Sequence, residues 1–88
     1  MENMSDNEFD LIDELYFVQS YTIVKDALDW DSTMLNETLY SLYNKDFIKI
    51  LLTHDEEFSD EISDPHNFSW SDKYFLASKK GLLLHNGF

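Results

Sequence analysis

Three histidines and eighteen acidic residues are the groups in this chain with chemistry to offer. The densest run is His54-Asp55-Glu56-Glu57, with His66 twelve positions further on. Carboxylates suit Ca²⁺, Mg²⁺ or Mn²⁺, and imidazole suits Zn²⁺, so this run has the right atoms for a metal. The spacing is wrong for one. No His-x-x-x-His is present, no cysteine occurs at all, and no Asp-x-Asp-x-Asp-Gly run curls the backbone around an ion. A solvated acidic loop is the simpler reading, and neither a metal nor any other cofactor is expected.

Covalent catalysis fares no better. A nucleophilic Ser or Cys needs a neighbouring base and an orienting acid, and the strand–turn–helix elbow Gly-x-Ser-x-Gly is missing. Paired carboxylates do acid–base work only where a pocket pushes their pKa values apart. A chain of 88 residues buries one modest core and leaves little room for such a pocket. With only Gly81 and Gly87, it also has no glycine-rich loop to cradle phosphate. A non-enzymatic protein is expected.

Charge narrows the partners. Net charge is −12, from eighteen acids against six Lys and no Arg. Binding to nucleic acid depends on Lys and Arg displacing counterions, so this balance disfavours it, and it disfavours anionic lipid equally. A basic protein is attracted instead. Solubility alone also accounts for many surface acids. Aromatic content of 16% argues against a disordered acidic tail, since such tails bury too little apolar surface to fold. No apolar run approaches the roughly 18 residues that span a bilayer, and the polar start Met1-Glu2-Asn3-Met4-Ser5-Asp6 is not a secretory leader. The expectation is a cytoplasmic protein with no membrane contact.

Hydrophobic periodicity predicts the scaffold. Residues 1–6 read as a flexible tail and 7–88 as one domain. Phe9, Leu11, Ile12, Leu15, Tyr16 and Val18 recur at helical spacing, with Asp6 or Asn7 as the cap. Ser20 suits the cap of a short helix from Tyr21 to Leu28, whose face is Ile23, Val24, Ala27 and Leu28. Asp31 caps a third helix, with Trp30 placed to pack on Leu35 as a hydrophobic staple. Leu35, Leu39 and Leu42 form its buried stripe, leaving Thr33, Asn36, Glu37, Tyr40 and Ser41 outward. Phe47 to Thr53 and Lys73 to Ala77 are strands that pair as a hairpin. Ser78 caps a last short helix through Leu82, Leu83 and Leu84.

Between the two strands, residues 54–72 carry Asp55, Glu56, Glu57, Asp60, Glu61 and Asp64, together with Phe58, Pro65, Phe68 and Trp70. A connection of this length in a small domain is functional or disordered. Its aromatics either pin the loop to the body or are displayed as interface anchors of the kind binding sites favour.

This α+β order, three helices followed by a β-hairpin with a long acidic wing loop and a short C-terminal helix, resembles the winged helix-turn-helix family. Small bacterial regulators of the MarR and PadR kind belong to it. The residues that carry the resemblance are Ile23-Val24-Lys25-Asp26-Ala27-Leu28 before the turn and Ser32 to Leu42 for the recognition helix. Tyr74-Phe75-Leu76 followed by Ser78-x-x-Gly81 resembles the second wing strand and its usual Thr-x-x-Gly turn. The resemblance implies a DNA-binding transcriptional regulator, with contacts from Asn36, Tyr40, Lys45, Lys79 and Lys80, and with Lys73 added in a dimer. The residues depart from that implication. The outward face of the third helix has Glu37 and a single cation, Lys45, at its far end, and the wing has six acids from Asp55 to Asp64 and neither Lys nor Arg between residues 54 and 72. The expected function is therefore a winged-helix-like module that binds protein. Its contact residues would be Asp55, Glu56, Glu57, Asp60 and Glu61, with Phe58 and Trp70 as anchors. The partner would be a basic protein or a second copy docked on Tyr16, Phe17 and Tyr21. An acidic mimic of DNA is the remaining alternative.

Overall fold

Side chains that satisfy the first amides of each helix set where the helices start. In the computed structural model, which describes residues 3–87, all four helices open on such a cap. Ser5 and Glu8 form a reciprocal capping box at α1 (Asp6–Asp13). The cap is thus Ser5 and not the expected Asp6 or Asn7, and the helix begins inside the segment read as a tail. Ser20 caps α2 (Tyr21–Leu28), Asp31 caps α3 (Ser32–Asn44) and Ser78 caps α4 (Lys79–His85).

α1 is shorter than its periodicity predicts. It stops at Asp13, and the Leu15 carbonyl accepts instead from the Ala77 amide at 2.8 Å. That tertiary bond ties the chain to the sheet and leads it into a strand the sequence does not announce, β1 (Gln19–Ser20). β2 (Ile48–Leu51) and β3 (Tyr74–Ala77) are the two expected strands. The sheet is antiparallel in the order β1-β3-β2, so β3 is central and β2 has an outer edge. Ile50 pairs with Phe75 and Leu51 with Tyr74, while Gln19 and Ser20 take Phe75 and Tyr74 on the other side. The α+β class stands.

The core lies between the helices and one face of this sheet. Leu11, Ile12, Val24, Leu35, Leu39 and Leu42 meet Phe47, Ile50 and Phe75, all essentially inaccessible. Burying each such side chain is worth about 1.5–3 kcal/mol. Trp30 packs against this cluster from the entry to α3.

A tight junction follows β3. The Phe47 carbonyl accepts from the Ser78 amide at 2.9 Å, and the Ser78 hydroxyl donates to the Asp46 carbonyl at 2.6 Å. The same hydroxyl oxygen accepts from the Gly81 amide at 3.0 Å. α4 is thereby pressed onto the Phe47 backbone, and a Cβ on Gly81 would sit 2.2 Å from the Phe47 oxygen. This is the physical reason for glycine in Ser78-x-x-Gly81. Gly81→Ala is expected to cost about 1–3 kcal/mol, the usual range for overpacking. Gly87→Ala meets nothing within 4 Å and is expected to cost less, through its positive φ alone. Urea denaturation of the two variants checks the order.

Candidate functional site

Residues 52–72 fold back on the body and are held there by aromatic rings. Past β2 the chain turns so that Leu52 donates to the Glu56 carbonyl at 2.7 Å and Phe58 to the Ile50 carbonyl at 2.9 Å. Leu51 and Glu57 face each other in an isolated bridge. Phe58, Ile62 and Phe68 then pack against the core cluster. Phe58 and Phe68 meet edge-to-face at 5.2 Å, Phe68 and Trp70 at 4.7 Å, and Trp70 stacks with Phe75 of β3 at 6.3 Å. Edge-to-face and offset pairs of this kind add to the energy of burial itself.

Trp70 is the centre of this chain of rings. It is 3% exposed, opens a 3-10 turn (Trp70–Asp72), and donates its indole N–H to the Pro65 carbonyl at 2.9 Å. Its ring also meets Tyr40 of α3 edge-on at 6.4 Å. As an anchor for a partner, Trp70 is therefore corrected: it is spent inside the molecule. Phe58 is half-buried and faces the same way. Of the two roles the sequence allows for these aromatics, the structure uses pinning.

With the rings turned inward, the carboxylates are outside. Asp55, Glu56, Glu57, Asp60, Glu61 and Asp64 are all exposed. Asp64 organises its own turn, accepting from the His66 amide at 3.0 Å and the Asn67 side-chain amide at 2.7 Å. The Tyr43 hydroxyl of α3 donates to the Asp60 carbonyl at 3.4 Å. Burial, followed by the negative charges of Asp46, Glu61 and Glu57, pushes the Tyr43 phenol above its usual pKa.

The loop also walls the outward face of α3. Asn36, Glu37, Tyr40, Ser41 and Asn44 line one side of an open groove of about 440 Å³, and Pro65 and His66 line the other. Asn36 accepts from the Tyr21 hydroxyl at 2.7 Å, and Ser41 donates to Glu8 at 2.8 Å. Tyr21, expected on a dimer face, is thus buried and committed to α3, whereas Tyr16 and Phe17 are exposed. Lys45 donates to both Glu8 carboxylate oxygens, at 2.8 and 3.0 Å. Lys73 pairs with Asp72 and lies over the Phe68 ring. Lys79 and Lys80 are exposed at the start of α4, with the Lys80 ammonium 5.4 Å from the Phe47 ring centre.

Glu8 is the buried charged group that sequence reading misses. It looks like one more acid on a solvated helix face, yet it is 3% exposed. Burial pushes its carboxyl up, but Lys45, the Ser5 amide and the Ser41 hydroxyl outweigh that and hold it below the ordinary carboxylate range. A second buried group, His85, stacks on Phe9 at 4.0 Å and shares a 2.6 Å hydrogen bond with the Tyr16 hydroxyl, clamping α4 to α1. Ser5-x-x-Glu8 is a local capping-box signature that marks Glu8, whereas the burial of both groups shows only through partners distant in sequence.

His54 lies against Tyr74, while His66 sits on the groove beside α3. Among the described residues no group of three His, Cys, Asp or Glu side chains converges to hold a metal, and no helix is long and apolar enough to cross a membrane.

Three substitutions test this arrangement. Trp70→Ala is expected to cost about 3–5 kcal/mol, the usual loss for a buried large aromatic, and to expose 58–69 to limited proteolysis. Asp55→Asn is expected to leave stability within about 0.5 kcal/mol, as for most surface changes. Glu8→Gln is expected to cost about 1.5–3 kcal/mol at neutral pH, the range for hydrogen bonds to a charged group. Because the folded pKa of Glu8 is lowered, its stabilisation is present above the unfolded value of about 4.3. It is lost as pH falls through the lower folded value. The gap between wild type and Glu8→Gln should therefore close in acid, which thermal melts from neutral pH to below that value would show.

Comparison with known proteins finds no matching family model, no similar curated protein and no similar solved structure.

Proposed function

We propose that this chain is a non-enzymatic, winged-helix-like module that binds a basic protein partner through the acidic loop. The observation that carries the reading is the position of that loop. It is pinned by Trp70 beside the outward face of α3, with its carboxylates exposed and its aromatics packed against the core.

The winged-helix component is supported by element order and topology. Helix, short strand, two helices, strand, long loop and strand follow one another, and the sheet runs β1-β3-β2. In DNA-reading members of that family the third helix enters the major groove and the wing approaches phosphate. Here Asn36, Ser41 and Lys45 of that helix are engaged by Tyr21 and Glu8. Any duplex against α3 would also bring phosphates toward the acidic loop, at the cost of like-charge repulsion. A protein partner rich in Lys or Arg meets the same surface with attraction, which raises its association rate at low salt.

Replacing Asp55, Glu56, Glu57, Asp60 and Glu61 together by their amides is expected to weaken capture of a basic peptide by at least about tenfold, or about 1.4 kcal/mol. The thermal midpoint should not fall. Fluorescence anisotropy with a labelled polybasic peptide measures the first and circular dichroism the second. Unchanged affinity would remove the acidic loop from the contact.

A further inference from the structure

We propose that His85 is a proton-operated latch: a proton taken up at Nε2 fastens the C-terminal turn of α4 to α1, and its loss loosens that turn.

The His85 side chain is 8% exposed. Among the described residues its Nε2 is the one buried side-chain nitrogen or oxygen without a hydrogen-bond partner. Such atoms are uncommon and costly. The neighbouring bonds show which form of the ring leaves it bare. Asn86 donates its side-chain amide to the Leu82 carbonyl at 2.8 Å, which turns its Oδ1 the other way. That oxygen accepts the single hydroxyl proton of Tyr16 at 3.3 Å. The Tyr16 oxygen is then an acceptor toward His85 Nδ1, 2.6 Å away, so Nδ1 carries a hydrogen. A neutral imidazole has one N–H. Nε2 therefore presents a lone pair, and it presents it to the Asp13 carboxylate at 3.8 Å.

A proton on Nε2 removes that mismatch. The imidazolium donates from both nitrogens, and Nε2 then faces an acid of opposite charge. Two further features favour the cation. The ring lies on Phe9 at 4.0 Å with the planes 22° apart, so a positive charge meets an aromatic face. His85 is also the last residue of α4, and a helix C-terminus favours a cation. Burial of the charge opposes these gains, and Asp13, 66% exposed, is screened by solvent. The latch is therefore of modest strength.

Among the described residues Asp13 is the one carboxylate within 4.0 Å of the ring nitrogens. Of the other acids at α1, Asp6 and Asp10 are exposed, Glu8 is held by Lys45, and Glu14 at the C-cap makes no bond to the ring. β3, which also packs on α4, has Tyr74 as its one titratable group, and that ring lies against His54. Lys79 and Lys80 are at the opposite end of α4. The two ends of this helix are thus held differently. Its start is fixed by Ser78 and by Gly81 against the Phe47 backbone, contacts with no group that titrates near neutrality. Its end depends on His85.

The test uses the full chain. Nitrogen NMR shifts of the His85 ring at about pH 8, where free imidazole is neutral, identify the tautomer, and the latch requires the hydrogen on Nδ1. Urea denaturation of wild type and His85→Gln is then compared from about pH 8 to about pH 6, the span in which imidazole gains a proton. His54 and His66 are common to both proteins, so the ratio of folding constants, wild type over variant, isolates His85. A proton held by the folded site and not by the unfolded chain makes that ratio rise as pH falls. A rise of about tenfold is expected, from helix-end and cation–ring contributions of ordinary size. Asp13→Asn keeps the ring and removes the facing charge, so wild type should gain on it in the same direction. That variant carries the test if His85→Gln does not fold. A hydrogen on Nε2 in the neutral ring, or a ratio that stays flat or falls with pH, would overturn the latch.

Discussion

Burial of the Trp70 indole is the constraint on which the placement of the acidic loop depends. One ring touches the third helix through Tyr40, the central strand through Phe75 and the loop through Phe68, and its N–H closes the Pro65 turn. A loop with six carboxylates repels itself and has little reason to lie against a protein that already carries net charge −12. Aromatic area supplies that reason. Four apolar side chains, Phe58, Ile62, Phe68 and Trp70, draw the loop onto the core, and the carboxylates are left in water because nothing else remains to face it. The acidic surface is thus a consequence of what the loop buries.

A second constraint fixes what the third helix can offer. Glu8 lies under the junction of α1 and α3, and a buried carboxylate is tolerable only if its oxygens are fully engaged. Ser5, Ser41 and Lys45 meet that need. The arrangement fastens α1 to α3 and consumes Lys45, the cation that follows the last turn of α3. Stability and surface chemistry are linked here: the lysine that would suit phosphate is the lysine that neutralises the core acid. Around the same helix, Asn36 is engaged by Tyr21.

The parts of this fold legible in the sequence are those set by neighbours along the chain. Ser20, Asp31 and Ser78 each bond an amide three residues ahead, so their capping roles follow from residue type and spacing. The Leu35, Leu39 and Leu42 stripe and the bulky strands at 48–51 and 74–77 are equally local. What escapes is set by distant contacts. β1 has only two residues, both polar, and exists because Gln19 and Ser20 find Phe75 and Tyr74. α1 ends early because the Leu15 carbonyl goes to Ala77, far along the chain. Glu8 carries no local sign of burial, its lysine being 37 positions away. For the candidate site, the acids at 55–61 are legible as charge. The inward turn of Trp70 is not, because an aromatic in a loop reads alike whether it is a pin or an anchor.

The central claim is that the acidic loop, and not the third helix, is the contact surface. The most direct measurement is a fluorescence titration of the protein with labelled duplex DNA at low salt, repeated at higher salt. Low salt screens charge least, so any attraction to phosphate is then at its greatest. The account predicts no binding under either condition. Micromolar or tighter binding that weakens with salt would contradict it and would move the contact to the surface of Lys73, Lys79 and Lys80.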